Sequence, residues 1–387
     1  MTKYIPYGTQ SIDEDDISSV VQALRSDFLT QGPLVPQFED AIKSYCGAEY
    51  AVASNSATSS LHLACMALGV GPGDIVWTSA ITFAASSNCA LYCNASVDFV
   101  DVEPSTFNMC AQQLEIKLKI AKENNCLPKV VIPVHLCGQP CEMEKIYELS
   151  QEFNFKIVED ASHAIGASFK GHKIGSCLYS DIAIFSFHPV KIITTGEGGM
   201  AVTNNQELAR KLELLRSHGI TRDVSQMKNS SHGPWYYEQI DLGFNYRMTD
   251  IHAALGINQI KKLDSFVATR HEIASRYDEA FSELPLKTPF QHKDAFSSYH
   301  LYVIKLDLLS IKSNHHTVFE YLRNKGIGVN LHYMPVYLHP FYQDMGFSKG
   351  YCLEAENYYK TAISIPMYPQ LEAKDQTYVI NSVIEAL

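Results

Sequence analysis

Short β-rich runs alternate with helical patterns between about residues 50 and 205. The strand candidates are YAVAS (50–54), DIVWTS (74–79), VDFVDV (97–102), KVVIPVH (129–135), KIVED (156–160), IAIFSF (182–187) and GMAVT (199–203). Segments between them, such as SSLHLACMALG and MEKIYELSQEF, have helical periodicity, and several end at Gly or Pro. The alternation predicts an α/β fold in which helices cover a mostly parallel sheet.

The pattern changes after about residue 250. Long helices are predicted in ALGINQIKKLDSFVATRHEIASRYDEAFSEL, followed by a strand-containing tail around YHLYVIKLD and GIGVNLHYM. Because 387 residues exceed the length at which a single hydrophobic core stops growing, we predict a large domain at 1–255 and a smaller C-terminal α+β domain at 256–387. The polar segment TRDVSQMKNSSHGPWYYE (221–238) is predicted to be a long loop.

Charge and composition exclude several classes of function. The chain has 31 Lys plus Arg against 42 Asp plus Glu, and the formal charge of −11 disfavours binding to nucleic acid or an anionic membrane. The N-terminal MTKYIPYGTQ lacks the apolar core of a signal peptide, and no apolar run approaches the ~20 residues that span a bilayer. We therefore expect a cytoplasmic protein. The ten cysteines form no CxxC pair, which predicts reduced, mostly buried thiols and no metal site.

Ligands of open α/β sheets bind beyond the carboxyl ends of the strands, so residues just after each predicted strand are the first candidates for a site. Lys191 lies in SFHPVKIITTGEGGM, where the Thr and Gly residues predict a loop. A lone lysine is most often a solvated surface residue. Asp160 ends the KIVED run, where its carboxylate can pair with a ligand cation; a helix N-cap is the alternative.

Two further features lie near strand ends. The first strand runs into SNSATSSLH (54–62), a small-residue turn that enters a helix and exposes backbone N–H groups to an anion, without a GxGxxG or GxxxxGK[ST] motif. Phe83 follows another strand. Together with Lys191 and Asp160, these features match the needs of pyridoxal 5'-phosphate (PLP): a lysine for the aldehyde, an acid for the pyridine nitrogen, donors for the phosphate and an aromatic face for the ring.

The sequence resembles the DegT/DnrJ/EryC1 family of sugar aminotransferases over nearly its whole length. The motifs that carry the resemblance are FLTQGP (28–33), NSATSSLH, TFAASSN, EDASHAIGA, SFHPVKIITTGEGG, HGITRD and GFNYRMTDIHAALG (243–256). The resemblance implies the type I PLP-dependent aminotransferase fold and transamination of a nucleotide-linked keto sugar.

The resemblance also implies roles for individual residues. Lys191 is the catalytic lysine that bonds to PLP, Asp160 pairs with the pyridine nitrogen, and His163 lies near the ring hydroxyl, where many relatives have Gln. Phe83 stacks on the ring. The implied phosphate contacts are Ala57, Thr58 and Ser186.

The remaining candidates are residues expected to act in a neighbouring subunit or to contact the substrate. Asn245 in GFNYRMTD matches an Asn that completes the phosphate site of the neighbouring subunit, which implies a homodimer with shared active sites; a loop cap is the alternative. Arg222, Arg247 and His332 are candidates for contacting nucleotide phosphates or the carboxylate of the amino donor. A surface arginine or a core histidine is an equal alternative at each position.

Three stretches indicate a branch within the family. They are YIPYGTQSIDEDDISSVVQALRSDFLTQGP, PWYYEQIDLGFNYRMTDIHAALGINQIKKLD and HYMPVYLHPFYQDMGF. They most resemble the branch that aminates the C4 ketone of UDP-2-acetamido-2,6-dideoxy-β-L-arabino-hexos-4-ulose in pseudaminic acid synthesis, with L-glutamate as donor. The alternatives are another nucleotide-linked keto sugar such as a D-series UDP-4-keto sugar, a regulatory protein with this fold, and a plain α/β ligand-binding protein. Relatives that dehydrate sugars have His in place of the lysine, so Lys191 disfavours that chemistry.

Overall fold

The strands predicted between residues 50 and 203 pair into one central sheet. A computed structural model describes residues 4–387. Its strands are β1 (Tyr50–Ser54), β2 (Ile75–Ser79), β3 (Ser96–Val100), β4 (Val130–Ile132), β5 (Lys156–Asp160), β6 (Ser168–Phe169), β7 (His172–Lys173), β8 (Ile182–Ser186), β9 (Gly199–Thr203), β10 (Ile220–Thr221), β11 (Glu238–Gln239), β12 (Leu286–Lys287), β13 (Ala295–Phe296), β14 (Tyr302–Leu306) and β15 (Ala362–Ile365). The central sheet has the order β1-β9-β8-β5-β4-β2-β3, so each of the seven predicted runs contributes a strand.

The central sheet is mostly parallel and is buried on both faces. The pairs from β3 through β2, β4 and β5 to β8 are parallel, whereas β9 is antiparallel to both β8 and β1. Alternate residues of β8 enter different hydrophobic clusters: Ala183 and Phe185 belong to one, and Ile182 and Ile184 to the other. Because successive side chains of a strand point to opposite faces, the two clusters lie on the two sides of the sheet. The α/β fold class is therefore confirmed.

The helices follow the predicted periodic segments. They are α1 (Glu14–Leu24), α2 (Leu34–Cys46), α3 (Ala57–Ala67), α4 (Ala85–Tyr92), α5 (Ala111–Glu123), α6 (Met143–Phe153), α7 (Gln206–Arg216), α8 (Asp250–Ile260), α9 (Leu263–Phe281), α10 (His315–Asn324), α11 (Pro340–Gln343), α12 (Leu353–Thr361) and α13 (Ala373–Ala386). MEKIYELSQEF forms α6 in full. Within residues 4–387, no helix combines the length and the hydropathy that a membrane-spanning segment requires.

The C-terminal part forms a second, smaller sheet with the order β12-β14-β15. YHLYVIKLD contains β14, as predicted, whereas GIGVNLHYM forms single bridges through Ile327 and Asn330 without a strand of its own. The domain boundary predicted at 255/256 falls inside α8, and β13 pairs with β6 from the preceding part. The division into two domains at that point stays a prediction.

The segment at 221–238 is a long loop, as predicted. β10 and β11 pair antiparallel at its base, and the residues between them form turns and irregular backbone. The carboxylate of Glu238 accepts hydrogen bonds from the backbone N–H groups of Lys228 and Asn229 and from the Tyr236 hydroxyl. These internal bonds give the loop a fixed shape while Trp235 remains 73% exposed.

Candidate active site

Strand register brings the predicted site residues to one edge of the central sheet. Ser54 at the end of β1 pairs with Gly199, and Gly199 pairs in turn with Ser186 at the end of β8. Asp160 at the end of β5 pairs with Ile184 of β8. The turn after β1, the end of β5 and the loop after β8 are therefore neighbours, although more than a hundred residues separate the first from the last.

A cavity of about 660 Å³ opens at this edge. Its walls contain seven of the eight predicted cofactor contacts, Ala57, Thr58, Phe83, Asp160, His163, Ser186 and Lys191, together with the predicted substrate contact His332. This volume is within the usual range for small-molecule sites, and polar side chains converge on the cavity. The cavity is the candidate active site.

The turn after β1 presents the first N–H groups of α3 to the cavity. Ser56 is the N-cap of this helix, and its Oγ accepts a hydrogen bond from the Ser59 N–H at 3.1 Å. Ala57 and Thr58 form the first turn, where N–H groups have no partner within the helix. A Cβ at Gly199 would lie 2.4 Å from the Ser56 carbonyl, so only glycine lets β9 approach this turn. The arrangement suits an anion such as a phosphate.

Asp160 is a buried carboxylate with neutral partners. Its side chain is 4% exposed and accepts hydrogen bonds from Ser86 Oγ at 2.6 Å and from the Ser162 N–H at 3.1 Å. No helix begins after β5, so the helix N-cap alternative is wrong. In the described part of the chain, no basic side chain forms an ion pair with Asp160. A buried carboxylate of this kind can pair with a cationic group of a ligand.

Lys191 lies in the loop after β8, as predicted, and is half-buried in the cavity wall. Burial lowers the pKa of its amine to about 8, although the nearby Asp160 carboxylate acts in the opposite direction. Lys191 is therefore not the solvated surface lysine that its sequence alone would also allow. An amine of this pKa has a sizeable neutral fraction near neutral pH and can act as a nucleophile or a base.

Three buried histidines lie near Lys191 and interact electrostatically with it. His163 Nδ1 accepts a hydrogen bond from the Cys137 N–H at 3.3 Å, and the ring of His300 lies 4.4 Å from the His163 ring. Burial and the nearby Lys191 hold the pKa values of His163 and His300 well below the ordinary histidine range. Burial also lowers the pKa of His332, to about 3, and its Nδ1 lies 2.8 Å from Ser364 Oγ. All three imidazoles are neutral at pH 7.

Several residues of the site were not predicted from the sequence, among them Tyr333, His300, Tyr7 and Ser86. Tyr333 and His300 line the cavity, as does Tyr7 from the N-terminal segment, and Ser86 bonds to Asp160. Two of them had a signal in the sequence, because Tyr333 directly follows His332 and Ser86 lies in the TFAASSN motif. His300 had none, since it belongs to the segment before β14 and reaches the cavity only through tertiary packing.

Three predicted residues lie outside the cavity of their own chain. Asn245 is exposed and bridges to Ser217, although the carbonyl of the next residue accepts a hydrogen bond from the cavity residue Asn55 at 2.8 Å. The Arg222 guanidinium lies 6.0 Å from the Tyr237 ring. Arg247 has a buried Nε without a partner among residues 4–387. If these three residues contact a ligand, they do so from another subunit or after a movement.

Comparison with known proteins identifies the family. The family model described as the DegT/DnrJ/EryC1/StrS aminotransferase family matches residues 10–384. The chain belongs to this family. It is 40% identical over 384 residues to a protein of Campylobacter jejuni named UDP-4-amino-4,6-dideoxy-N-acetyl-beta-L-altrosamine transaminase, covering 99% of this chain and 97% of that protein.

Solved structures of the family share the fold over the full length. The structure of Helicobacter pylori PseC, an aminotransferase involved in the biosynthesis of pseudoaminic acid, has a TM-score of 0.89 at 29% identity and covers 99% of both chains. Spr1654 of Streptococcus pneumoniae in its PLP-form has a TM-score of 0.88 at 29% identity and covers 100% of both. The predicted type I aminotransferase fold is confirmed, and this chain is a PLP-dependent sugar aminotransferase.

The residues of the cavity fit the cofactor of this family. The first turn of α3 offers N–H groups for a phosphate, and Asp160 offers a buried carboxylate that forms no ion pair with any residue from 4 to 387. Lys191 offers an amine with a lowered pKa. These groups have the chemistry that PLP needs for its phosphate, its pyridine nitrogen and its aldehyde.

Proposed function

We propose that this aminotransferase moves the amino group of L-glutamate to the C4 ketone of UDP-2-acetamido-2,6-dideoxy-β-L-arabino-hexos-4-ulose. The product would be UDP-4-amino-4,6-dideoxy-N-acetyl-β-L-altrosamine, an intermediate of pseudaminic acid synthesis. The observation that carries the proposal is the 40% identity, over 99% of the chain, to proteins named for that transaminase. The alternative is amination of another nucleotide-linked keto sugar, such as a D-series UDP-4-keto sugar.

Residues of the cavity would hold PLP by its phosphate, its pyridine nitrogen and its ring. Backbone groups of Ala57 and Thr58 and the Ser186 hydroxyl hold the phosphate, Asp160 pairs with the pyridine nitrogen, and Phe83 covers one ring face. His163 lies near the ring oxygen, in the position where many relatives have Gln. When bound, PLP supplies an aldehyde that bonds to amines and a ring that withdraws electrons from the reacting carbon. Ser86 and Ser162 keep the Asp160 carboxylate oriented toward the cavity through their hydrogen bonds.

Lys191 is assigned two tasks, attachment of PLP and movement of the proton. In the first half of the reaction its Nζ removes the proton from Cα of glutamate. In the second half the same atom delivers a proton to C4 of the sugar. Both steps require an amine that exchanges its proton near neutral pH, and the pKa of about 8 that burial gives Lys191 meets this need.

Substrate recognition is assigned to His332 and, from the partner subunit, to the arginines. His332 lies in the cavity wall and is held by Ser364, so its neutral imidazole can form a hydrogen bond to the sugar nucleotide. Arg222 and Arg247 would contact the diphosphate or the glutamate carboxylate across a homodimer interface. Asn245 would complete the phosphate site of the other subunit.

A half-reaction experiment tests the substrate. The PLP-loaded enzyme is treated with L-glutamate, the excess donor is removed, and the β-L-arabino sugar and a D-series UDP-4-keto sugar are added separately. We expect one equivalent of 4-amino product per active site, measured by mass spectrometry, with the β-L-arabino sugar alone. Product from the D-series sugar alone would show that the enzyme aminates the alternative substrate and acts in another pathway. Release of 2-oxoglutarate without either product would show that the keto substrate is wrong.

Mixed dimers test the shared active site. Lys191→Ala and Asn245→Ala should each be inactive or strongly impaired as homodimers. A hybrid of the two has one site with both Lys191 and the partner's Asn245 intact, so we expect activity to return on mixing and exchange of subunits. If Asn245 served its own subunit, neither site of the hybrid would be complete, and activity would stay low. Lys191→Ala mixed with Lys191→Ala is the matched control.

A further inference from the structure

Tyr333 lines the cavity, and its hydroxyl lies 3.2 Å from His163 Nε2. The phenol ring is also 6.1 Å from the ring of Phe83, so Tyr333 lies between two residues that are assigned to the cofactor. His163 is fixed from behind, because its carbonyl accepts a hydrogen bond from Ser298 Oγ at 3.0 Å and the His300 ring packs against its imidazole. The Tyr333–His163 contact therefore has a well-defined geometry.

The proton of His163 can be located from its second nitrogen. Nδ1 accepts a hydrogen bond from the backbone N–H of Cys137, and a backbone amide is always the donor. Cys137 adopts a φ of 60°, which few residues other than glycine do, in the 3₁₀ turn Leu136–Gly138. Since Nδ1 accepts, it carries no hydrogen. A neutral imidazole has one N–H, which must then be at Nε2.

The direction of the next hydrogen bond follows. His163 Nε2–H donates to the oxygen of Tyr333, so the phenolic hydrogen cannot point back at His163. Within residues 4–387, no second partner of the Tyr333 hydroxyl is found, and the residue lines the cavity. The chain of donors runs from Cys137 N–H through His163 to Tyr333 and ends with an O–H that is free for a ligand.

We propose that Tyr333 is a positioning residue that accepts a hydrogen bond from His163 Nε2 and presents its own O–H to an oxygen acceptor of the ligand in the cavity. This inference rests on the proposed function, because the acceptor is a part of PLP or of the keto sugar. The ring oxygen of PLP is the acceptor that the location favours, since Tyr333 contacts His163 and Phe83. His163 then acts on that oxygen through the Tyr333 O–H, because its single N–H is donated to Tyr333.

Histidine tautomers in the cofactor-free protein test the first half of the proposal without any catalysis. Protein with ¹⁵N-labelled histidine is prepared, and the His163 signal is assigned by its absence in His163→Gln. We expect the pattern of a neutral ring with hydrogen on Nε2. Hydrogen on Nδ1 would overturn the proposal whether or not the enzyme aminates the proposed sugar.

Tyr333→Phe tests the second half, because it removes one hydroxyl and keeps the ring. Loss of a hydrogen bond to a charged oxygen should weaken PLP binding by about tenfold or more. It should also raise, by about one unit, the pH at which the absorption of bound PLP changes, because the anionic ring oxygen loses a donor. Tyr147→Phe is the matched control, since Tyr147 is on α6 outside the cavity lining and is 38% exposed. Circular dichroism and a thermal melt check folding of each variant.

Two outcomes separate the possible acceptors, and a third refutes both. Weaker PLP binding with the shifted absorption profile assigns the O–H to the cofactor. Unchanged PLP binding with a higher KM for the keto sugar and an unaltered glutamate half-reaction assigns it to the sugar oxygen. If PLP binding, absorption and the KM for the sugar all match the wild type and Tyr147→Phe, Tyr333 has no positioning role and the proposal is wrong. Failure of the wild type to use the proposed sugar would instead contradict the function proposed above, and not the role of Tyr333.

Discussion

Two basic side chains lie close to the active-site cavity, the half-buried Lys191 and the fully buried Arg270, and burial lowers the pKa of both. Lys191 is at the cavity wall, with an amine whose pKa burial lowers to about 8. Arg270 on α9 is 1% exposed, and burial lowers its pKa to about 9. The Nη1 atom of Arg270 donates to the carbonyls of Tyr299, His300 and Met367 at 2.9–3.1 Å, which keeps the guanidinium charged at neutral pH.

The difference shows what separates a reactive group from a structural one. The Nη1 atom of Arg270 has three carbonyl acceptors, through which it ties the segment before β14, which carries His300, to the residues after β15. Within the described residues 4–387, Lys191 has no such set of partners, and it lines a cavity that a ligand can fill. Burial shifts the pKa of both groups. Unsatisfied hydrogen-bonding capacity next to a cavity, rather than burial, marks the residue that does chemistry.

Lys191→Ala should have the largest effect of the changes considered, and that effect should be confined to activity. We expect turnover to fall by about 10⁴-fold or more, since both attachment of PLP and proton transfer depend on this amine. The urea unfolding midpoint should stay near that of the wild type, because no structural partner is lost. Steady-state kinetics and urea titration measure the two effects, with the exposed Lys211→Ala as control. Retained turnover in the purified variant would refute the role of Lys191.

Arg270→Met should show the opposite pattern. Three buried carbonyls lose their donor, and at about 1–3 kcal/mol for an unsatisfied buried group the free energy of unfolding should fall by about 3 kcal/mol or more. The fluorescence of buried Trp77 during urea titration reports the change. Arg270→Lys, which keeps a charge and a donor, should lose less. Equal stability of Arg270→Met and the wild type would show that the guanidinium is not a structural support.

Asp160→Asn should lower activity less than loss of Lys191 but with little effect on stability. The amide oxygen can still accept the hydrogen bond from the Ser162 N–H, and the amide NH2 can donate to Ser86 Oγ, so the local structure should persist. The negative charge opposite the pyridine nitrogen is lost, and removal of one such electrostatic contact costs about 10²–10³-fold in turnover. Kinetics at saturating PLP measure the effect. A similar loss in Asp181→Asn, whose carboxylate pairs with Lys156 outside the cavity lining, would argue for a general effect of charge.

The pH dependence of PLP attachment should be the smallest effect and the most specific to Lys191. A pKa of about 8 predicts that the neutral amine, and hence the rate of attachment to cofactor-free protein, rises about tenfold from pH 7 to pH 9 and then levels off. For a lysine with an ordinary pKa, the rate of attachment would continue to rise through pH 10. Borohydride trapping followed by peptide mapping gives the rate at Lys191. The absence of a plateau would mean that burial does not depress its pKa.

Individual candidate site residues could be predicted from the sequence alone. Lys191, Asp160 and the turn at 54–58 could be selected because strand ends and turn residues are visible in a single sequence. His300 and the Tyr333–His163 contact could not, since they join segments more than a hundred residues apart. The helix N-cap alternative for Asp160 also required the structure, because local sequence does not say whether a helix follows.

The sequence by itself determined the α/β class, the seven strands of the central sheet and, through its motifs, the family of the enzyme. Periodicity and turn residues are local properties, so the chain order of the elements could be predicted from them. The order of strands within the sheet, the packing of Gly199 against the turn at Ser56 and the different surroundings of Lys191 and Arg270 were decided only by tertiary structure. Each of these depends on which distant backbone groups and side chains meet, and so does the difference between a lysine that can react and an arginine that supports the fold.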